Sequence, residues 1–326
     1  MRLLSKLLIL FLLVLGCKKK DPVPSSPDHL SNGILVLNEG LFQQNNSSVS
    51  WIDLTNSTVS NDFFLAKNDR HLGDTGNDMV LHGGKIYVVV NGSGLIDVLN
   101  KNSGKSIKQI PMLNSGINKS PRSIVFNGSK GYISCYDGYI DVLDTVTLTI
   151  TQRIPVGKNP ESLVVSNGKL FVSNSGGLYA PVMDSTVSVI DLVSSTEVQR
   201  ITVGKNPGRI EVDQQGDIYV ITRGDYGAIP ARMVRIDAND WNSIQQFSFD
   251  AFGIEKMNDN FLITYYNFST QQSAVRLFDP LSESLINNNF RRGRQEFRHL
   301  RCPGCIYCNS CFFNFFQACE LNAPLV

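Results

Sequence analysis

The stretch "VGKNP" is spelled twice, at residues 156–160 and again at 203–207, 47 positions apart. Each copy closes one alternating apolar run, "TQRIPVGKNP" (151–160) and "VQRITVGKNP" (198–207), and opens another, "ESLVVSNGKLFVSN" (161–174) and "GRIEVDQQGDIYVIT" (208–222). Glycine allows a sharp reversal, and proline, with no N–H to donate, interrupts a ladder. The pentapeptide therefore reads as a turn between two strands that recurs with a structural unit. Looser copies are "INKSP", ending at Pro121, and "DTGND", around Asn77.

Working outward, the repeat covers most of the chain. Alternating segments carry an aspartate at Asp53, Asp97, Asp141, Asp191, Asp237 and Asp279, in steps of 44, 44, 50, 46 and 42 residues. Their carboxylates are expected to close the third strand of each unit and accept N–H bonds in the turn that follows. Before most of them stands an aromatic-bearing segment such as "HGGKIYVVV" or "SNGKLFVSN", and after them a third alternating segment. Period-two alternation, β-branched residues and Gly/Asn/Asp turns favour strands over helices. For the unit that opens at Pro160, strands are predicted over 162–165, 170–173, 186–190 and 197–203, and no helix is predicted between 32 and 290. Four short strands every 40–50 residues are the spacing of β-propeller blades. The fold class is all-β, a propeller of four-stranded blades.

The segment "VGKNPESLVVSNGKLFVSN…STVSVIDLVSSTEVQRITVGKNP" resembles the YVTN-type (YncE-like) seven-bladed propellers over residues 34 to about 288. Seven blades are the number that this resemblance implies, yet about six units are recognisable. The first, from Gly33 to about Ala66, lacks an inner strand, and complete units run at about 76–113, 121–156, 160–203, 207–249 and 252–288. Residues 291–326 break the pattern. Five of the seven cysteines and a cluster of arginines lie there, with Cys302, Cys305, Cys308 and Cys311 at C-x2-C-x2-C-x2-C spacing. The tail reads as out-of-frame or truncated sequence in place of the last blade. Disulfides, zinc or an iron–sulfur cluster are the alternatives.

The N-terminus sets the compartment. Arg2 and Lys6 precede an apolar run over 7–15, too short to span a bilayer, and "VLGC" ends at Cys17. This resembles a bacterial lipobox, so residues 1–16 are expected to be a lipoprotein signal peptide and Cys17 the lipidated residue. Residues 17–31, rich in lysine, proline and serine, form a stalk, and 32–290 the propeller. Lipobox and opening strand together are similar to outer-membrane propeller lipoproteins of Bacteroidota, among them surface proteins that capture corrinoids. The resemblance implies an outer-membrane location, on the periplasmic or cell-surface side, and a TonB-dependent transporter as partner.

Catalytic signatures are missing. The chain holds 30 basic and 29 acidic residues and four histidines, with no HExxH, GxSxG or P-loop pattern. The charge balance gives no reason to expect nucleic acid. No enzyme activity, no cofactor and no metal is expected; Asp69, Asp74 and Asp78 around His71 could bind a cation but read as a polar inter-blade loop. The connections from second to third strand are rich in aromatics and amides. They bring Asn38, Phe42, Gln43, Asn174, Tyr179, Arg223, Tyr226, Tyr265, Tyr266 and Phe268 to one face as candidate ligand-binding residues. Rings beside amides suit a large ligand with a flat apolar body and polar edges. The expected function is capture of such a ligand, a corrinoid (vitamin B12) first. The alternative is a cell-surface module that binds protein or glycan.

Overall fold

The computed structural model describes residues 29–267, 272–288 and 318–321; Cys17, residues 17–28 of the expected stalk, Phe268 and the four-cysteine run lie outside them, whereas Leu30, also assigned to the stalk, is buried in the core of blades 1 and 2. Blade 1 contains β1 (Gly33–Asn38), β2 (Ser48–Asp53) and β3 (Thr58–Ser60), and a short helix α1 (Phe63–Asn68) follows it. Blade 2 is β4 (Gly76–His82), β5 (Lys85–Val90), β6 (Leu95–Asn100) and β7 (Ser106–Pro111). A small hairpin, β8 (Leu113–Asn114) and β9 (Ile117–Asn118), leads to blade 3: β10 (Pro121–Asn127), β11 (Lys130–Cys135), β12 (Tyr139–Asp144) and β13 (Thr149–Pro155). Blade 4 is β14 (Pro160–Ser166), β15 (Lys169–Asn174), β16 (Thr186–Asp191) and β17 (Thr196–Thr202). Blade 5 is β18 (Pro207–Val212), β19 (Ile218–Thr222), β20 (Arg232–Ile236) and β21 (Ile244–Asp250). Blade 6 is β22 (Gly253–Met257), β23 (Asn260–Asn267), β24 (Gln272–Asp279) and β25 (Ser284–Asn287).

Blades 2 to 6 each follow chain order as an antiparallel meander, β4-β5-β6-β7 in blade 2 and likewise onward. Blade 1 differs. Its inner edge is β26 (Ala318–Leu321), which pairs antiparallel with β1 from Gly33 opposite Leu321 to Val36 opposite Ala318. The described residues thus form six four-stranded blades, and one strand of the cysteine-bearing tail belongs to the first of them.

The repeated turn does the same job at four blade crossings. Thr75, Ser120, Asn159 and Asn206, each one residue before an inner strand, all lie in the left-handed region, with φ of 59°, 53°, 44° and 58°. Their carbonyls accept the N–H of the residue just past the second strand of the same blade: Asn91 (2.8 Å), Tyr136 (3.1 Å), Ser175 (3.0 Å) and Arg223 (2.9 Å). In the two "VGKNP" copies the preceding lysine adds a second bond, Gly176 N–H to the Lys158 carbonyl and Gly224 N–H to the Lys205 carbonyl. Asparagine tolerates this conformation better than other non-glycine residues, which accounts for the "N" of the motif. Proline then enters the strand where its fixed φ suits extended backbone.

Burial lies between blades rather than within them. Leu35, Trp51 and Met79 pack blade 1 on blade 2; Tyr87, Ile124 and Ile133 pack blade 2 on blade 3. Leu163, Val172 and Ile140 fill the seam of blades 3 and 4, and Ile210, Val220 and Val189 that of blades 4 and 5. Seven apolar residues around Tyr219 and Phe278 do the same for blades 5 and 6. Serine hydroxyls of second strands reach the inner strand of the next blade, Ser134 Oγ donating to the Glu161 carbonyl (2.9 Å) and Ser173 Oγ to that of Gly208 (2.6 Å). Helix α1 departs from the helix-free expectation. It spans a turn and a half, too short for a 3.6-residue period to appear in sequence, and it inserts Phe63 and Phe64 beside Trp51.

The aspartate ladder also shifts. Asp53, Asp191 and Asp237 each accept two backbone N–H bonds in the turn after the third strand, as expected, and Asp279 accepts one from Leu281 and a hydroxyl from Ser282. In blades 2 and 3 that task belongs to Asn100 and Asp144, so the true steps are 47, 44, 47, 46 and 42 residues. Asp97 and Asp141 sit three positions earlier, fully buried within β6 and β12. Arg70 neutralises Asp97 at 2.6 Å, while Lys119 (2.6 Å) and Arg153 (2.8 Å) neutralise Asp141. Removing one partner of a buried pair leaves a charge without compensation. Asp141→Ala is therefore expected to cost about 3–5 kcal/mol, read as a lowered urea midpoint at unchanged slope.

Candidate functional site

Antiparallel register decides which loops share a face. In blade 4, Pro160 lies opposite Asn174, Asn174 opposite Thr186, and Thr186 opposite Thr202. The crossing turns and the connections from second to third strand therefore emerge together. Those connections are long in blades 1, 4 and 5 (39–47, 175–185 and 223–231) and short in blades 2 and 3 (91–94 and 136–138). On this face Phe42, Tyr179 and Tyr226 are 68%, 53% and 58% exposed, beside exposed Leu41, Leu178 and Ile229, and the exposed Leu113 and Ile117 of the β8/β9 hairpin. The third-to-fourth-strand turns of the opposite face are the tight aspartate and asparagine turns just described.

Toward the axis of the loop face stands an ion cluster. Asn77, Arg122, Glu161 and Gly208 occupy the second position of four successive inner strands, and Tyr136 and Arg223 follow the second strands of blades 3 and 5. Arg122 donates to Asn77 Oδ1 and to Glu161 Oε1, both at 2.7 Å, and its guanidinium lies 4.7 Å from the Tyr136 ring centre. The Tyr136 hydroxyl donates to the other Glu161 oxygen. Arg223 approaches Glu161 to 3.6 Å across Gly208, where a Cβ would meet its guanidinium at 2.7 Å. The glycine that replaces glutamate after the second "VGKNP" thus makes room for the arginine.

The charges hold one another. Burial opposes ionisation of Glu161, but Arg122 and Arg223 overcome it and bring its carboxyl down to about 2. Burial works against the Arg122 charge, and Glu161, Tyr136 and Glu39 more than restore it. Burial and the Glu161 carboxylate push the Tyr136 phenol far up, so it remains a donor. At the seam of blades 5 and 6 the opposite occurs. Where other inner strands carry Val80, Val125 and Val164, blade 5 carries Glu211, whose carboxyl burial and the nearby Glu255 raise to about 7.

A cleft of about 350 Å³ opens beside the cluster, between the short turn of blade 3 and the long loop of blade 4. Tyr136, Tyr139, Lys158, Tyr179, Asp184 and Arg200 are among the residues that line it. Among the described residues, no group of three or more His, Cys, Asp or Glu is placed to hold a metal ion.

The sequence-chosen residues divide into rim and frame. Phe42, Tyr179 and Tyr226 project from the loops. Gln43 stands exposed, its backbone N–H held by Asp74 Oδ1 at 3.1 Å. Asn38 and Asn174 turn inward at equivalent ends of β1 and β15: each amide donates to two hydroxyls of the next strand, Ser48 and Ser50 or Thr186 and Ser188. Asn174 is fully buried, and a Cβ at Gly157 would strike it at 2.4 Å. Arg223 joins the axial cluster. Tyr265 and Tyr266 are half-buried on β23, the former 4.6 Å from the Arg276 guanidinium, and Phe268 lies outside the described residues. Arg122, Tyr136, Lys158 and Glu161 escaped selection. One clue was legible, the change from "VGKNPE" to "VGKNPG" between copies of an otherwise strict repeat.

Residues 32–276 match the family described as "Domain of unknown function (DUF5074)", and the chain belongs to that family. No curated protein matches the chain. Among solved structures, Kuenenia stuttgartiensis hydrazine synthase is similar with a TM-score of 0.56 and 16% identity, over 80% of this chain and 79% of that one. At that identity the likeness is one of fold.

The two shifted carboxyls set opposite pH limits. Glu161, with its pKa lowered, contributes stability above its ordinary value of 4.5 that is lost as pH falls toward about 2. Glu211, with its pKa raised, contributes below 4.5 and loses that contribution as pH rises through about 7. Glu211→Gln is accordingly expected to raise the urea midpoint at about pH 8 and to leave it nearly unchanged at about pH 4.

Proposed function

We propose that this propeller is a binding protein rather than an enzyme, and that its loop face captures a small molecule with a flat apolar body and a polar edge, a corrinoid in the first instance. One observation carries the reading: exposed aromatic and aliphatic side chains are gathered on the long loops of one face, around a mouth where Glu161 is paired with Arg122 and Arg223. Rings supply stacking area at low entropic cost, and a mouth whose ions are already paired does not demand a strongly charged ligand. In this proposal lipidated Cys17 tethers the protein to the outer membrane, on its periplasmic or cell-surface side, and a TonB-dependent transporter receives the ligand.

Calorimetric titration of the full chain with cobalamin tests this directly. Saturable binding that weakens at least about tenfold in a Phe42→Ala/Tyr226→Ala double variant is the expected result; tenfold corresponds to about 1.4 kcal/mol. Absence of heat and of any thermal shift would overturn the corrinoid reading and favour a protein or glycan partner on the same face.

A further inference from the structure

The cleft between blades 3 and 4 is built differently from the rest of the loop face, and its charges can be followed one by one. Asp184 is saturated: it accepts the N–H groups of Lys158 (2.9 Å), Ser185 (2.7 Å) and Thr186 (3.1 Å) and the Thr186 hydroxyl (2.7 Å). Arg200 donates twice to Glu197, at 2.9 and 2.7 Å. Asp137 is paired with Arg153, which also holds Asp141 and lies 4.1 Å from the Tyr139 ring centre. Lys158 is the exception. Its ammonium stands 5.0 Å from the Tyr179 ring centre, and no carboxylate among the described residues lies within ion-pair distance of it.

The backbone that carries this cation is held from both sides. The Lys158 N–H is bound by Asp184 and its carbonyl by Gly176 N–H at 2.9 Å. Tyr179, which supports the ammonium, is anchored in turn by its N–H to the Gly176 carbonyl at 2.8 Å. The second "VGKNP" serves as an internal control. Lys205 takes the same bond from Gly224, but counting onward from that glycine, the position of Tyr179 is held by Gly227. The ring-backed lysine belongs to the first copy alone.

We infer that this cleft is an anion subsite, which takes a phosphate or carboxylate group carried on a ring, with the anion on Lys158 and the ring against Tyr179 and Tyr139. An exposed ammonium with three free donors, standing over a ring at the wall of a tyrosine-lined cleft, recognises a charged acceptor, and the neighbouring rings favour one joined to a flat body. The inference rests on the reading that the loop face binds a small molecule, and it names the chemistry of one part of that site. For a corrinoid, the group concerned would be the phosphodiester of its nucleotide loop.

The probe is phenyl phosphate, with phenol as its uncharged counterpart, titrated into the full chain and followed by amide shifts. Saturable shifts at residues 157–159 and 177–179 are expected with phenyl phosphate and not with phenol. Lys158→Met should weaken binding about tenfold and Lys158→Arg should retain it. Equal response to both probes, no response to either, or unchanged affinity in Lys158→Met would overturn the subsite. A second titration separates this from the broader reading: cobalamin should lose affinity in Lys158→Met, whereas cobinamide, which lacks the nucleotide phosphate, should not. Phenyl phosphate binding without any cobalamin binding would refute the corrinoid and leave the subsite standing.

Discussion

One hydrogen bond organises the ring: the carbonyl of a left-handed residue at the blade crossing catches the N–H just beyond the second strand of the blade it opens. At Thr75, Ser120, Asn159 and Asn206 the bond fixes the start of the inner strand against the end of its neighbour. The second-to-third-strand connections of blades 2 to 5 start from those points. Tyr136 and Arg223 are themselves the residues whose N–H groups are caught, which is why both side chains converge on Glu161 from different blades.

The same constraint explains why a propeller can vary its face at little cost. Packing lies in the seams, where residues such as Met79, Ile124, Leu163, Ile210 and Ile254 meet the preceding blade. The second-to-third-strand connections start and end at bonded positions, so their lengths can differ without disturbing those seams. The long loop of blade 4 and the short turn of blade 3 leave a cleft between them. Near the axis the Glu161 carboxylate is shared by two guanidiniums, and burial strengthens their coupling rather than breaking it.

Much of the framework was legible because it repeats. The four strands predicted for the blade opening at Pro160 fall within a residue or two of β14 to β17, since alternation and turn residues are local signals. In blades 2 and 3 the turn-capping residue lies three positions beyond the aspartate that the repeat suggests. "GLIDVLN" and "GYIDVLD" each carry two polar residues three positions apart, and only pairing shows that Asn100 and Asp144 reach the turn while Asp97 and Asp141 meet cations inside the sheet. Selecting site residues by type had a similar limit. Asn38 and Asn174 look like ligand amides in sequence, yet each bridges two strands of its own blade.

By itself, the sequence determined the fold class, the blade period and the face on which the variable loops lie, because each follows from short-range pattern and strand direction. Tertiary structure alone decided the rest. Arg122, Tyr136, Glu161 and Arg223 come from three blades and as much as a hundred residues of chain, and no local pattern joins them. The return of β26 to β1 brings together segments nearly three hundred residues apart. Whether a lysine in a repeated turn is solvated or backed by a ring depends on the loop beside it, as Lys158 and Lys205 show. Charge and neighbourhood, unlike alternation, are properties of the packed ring.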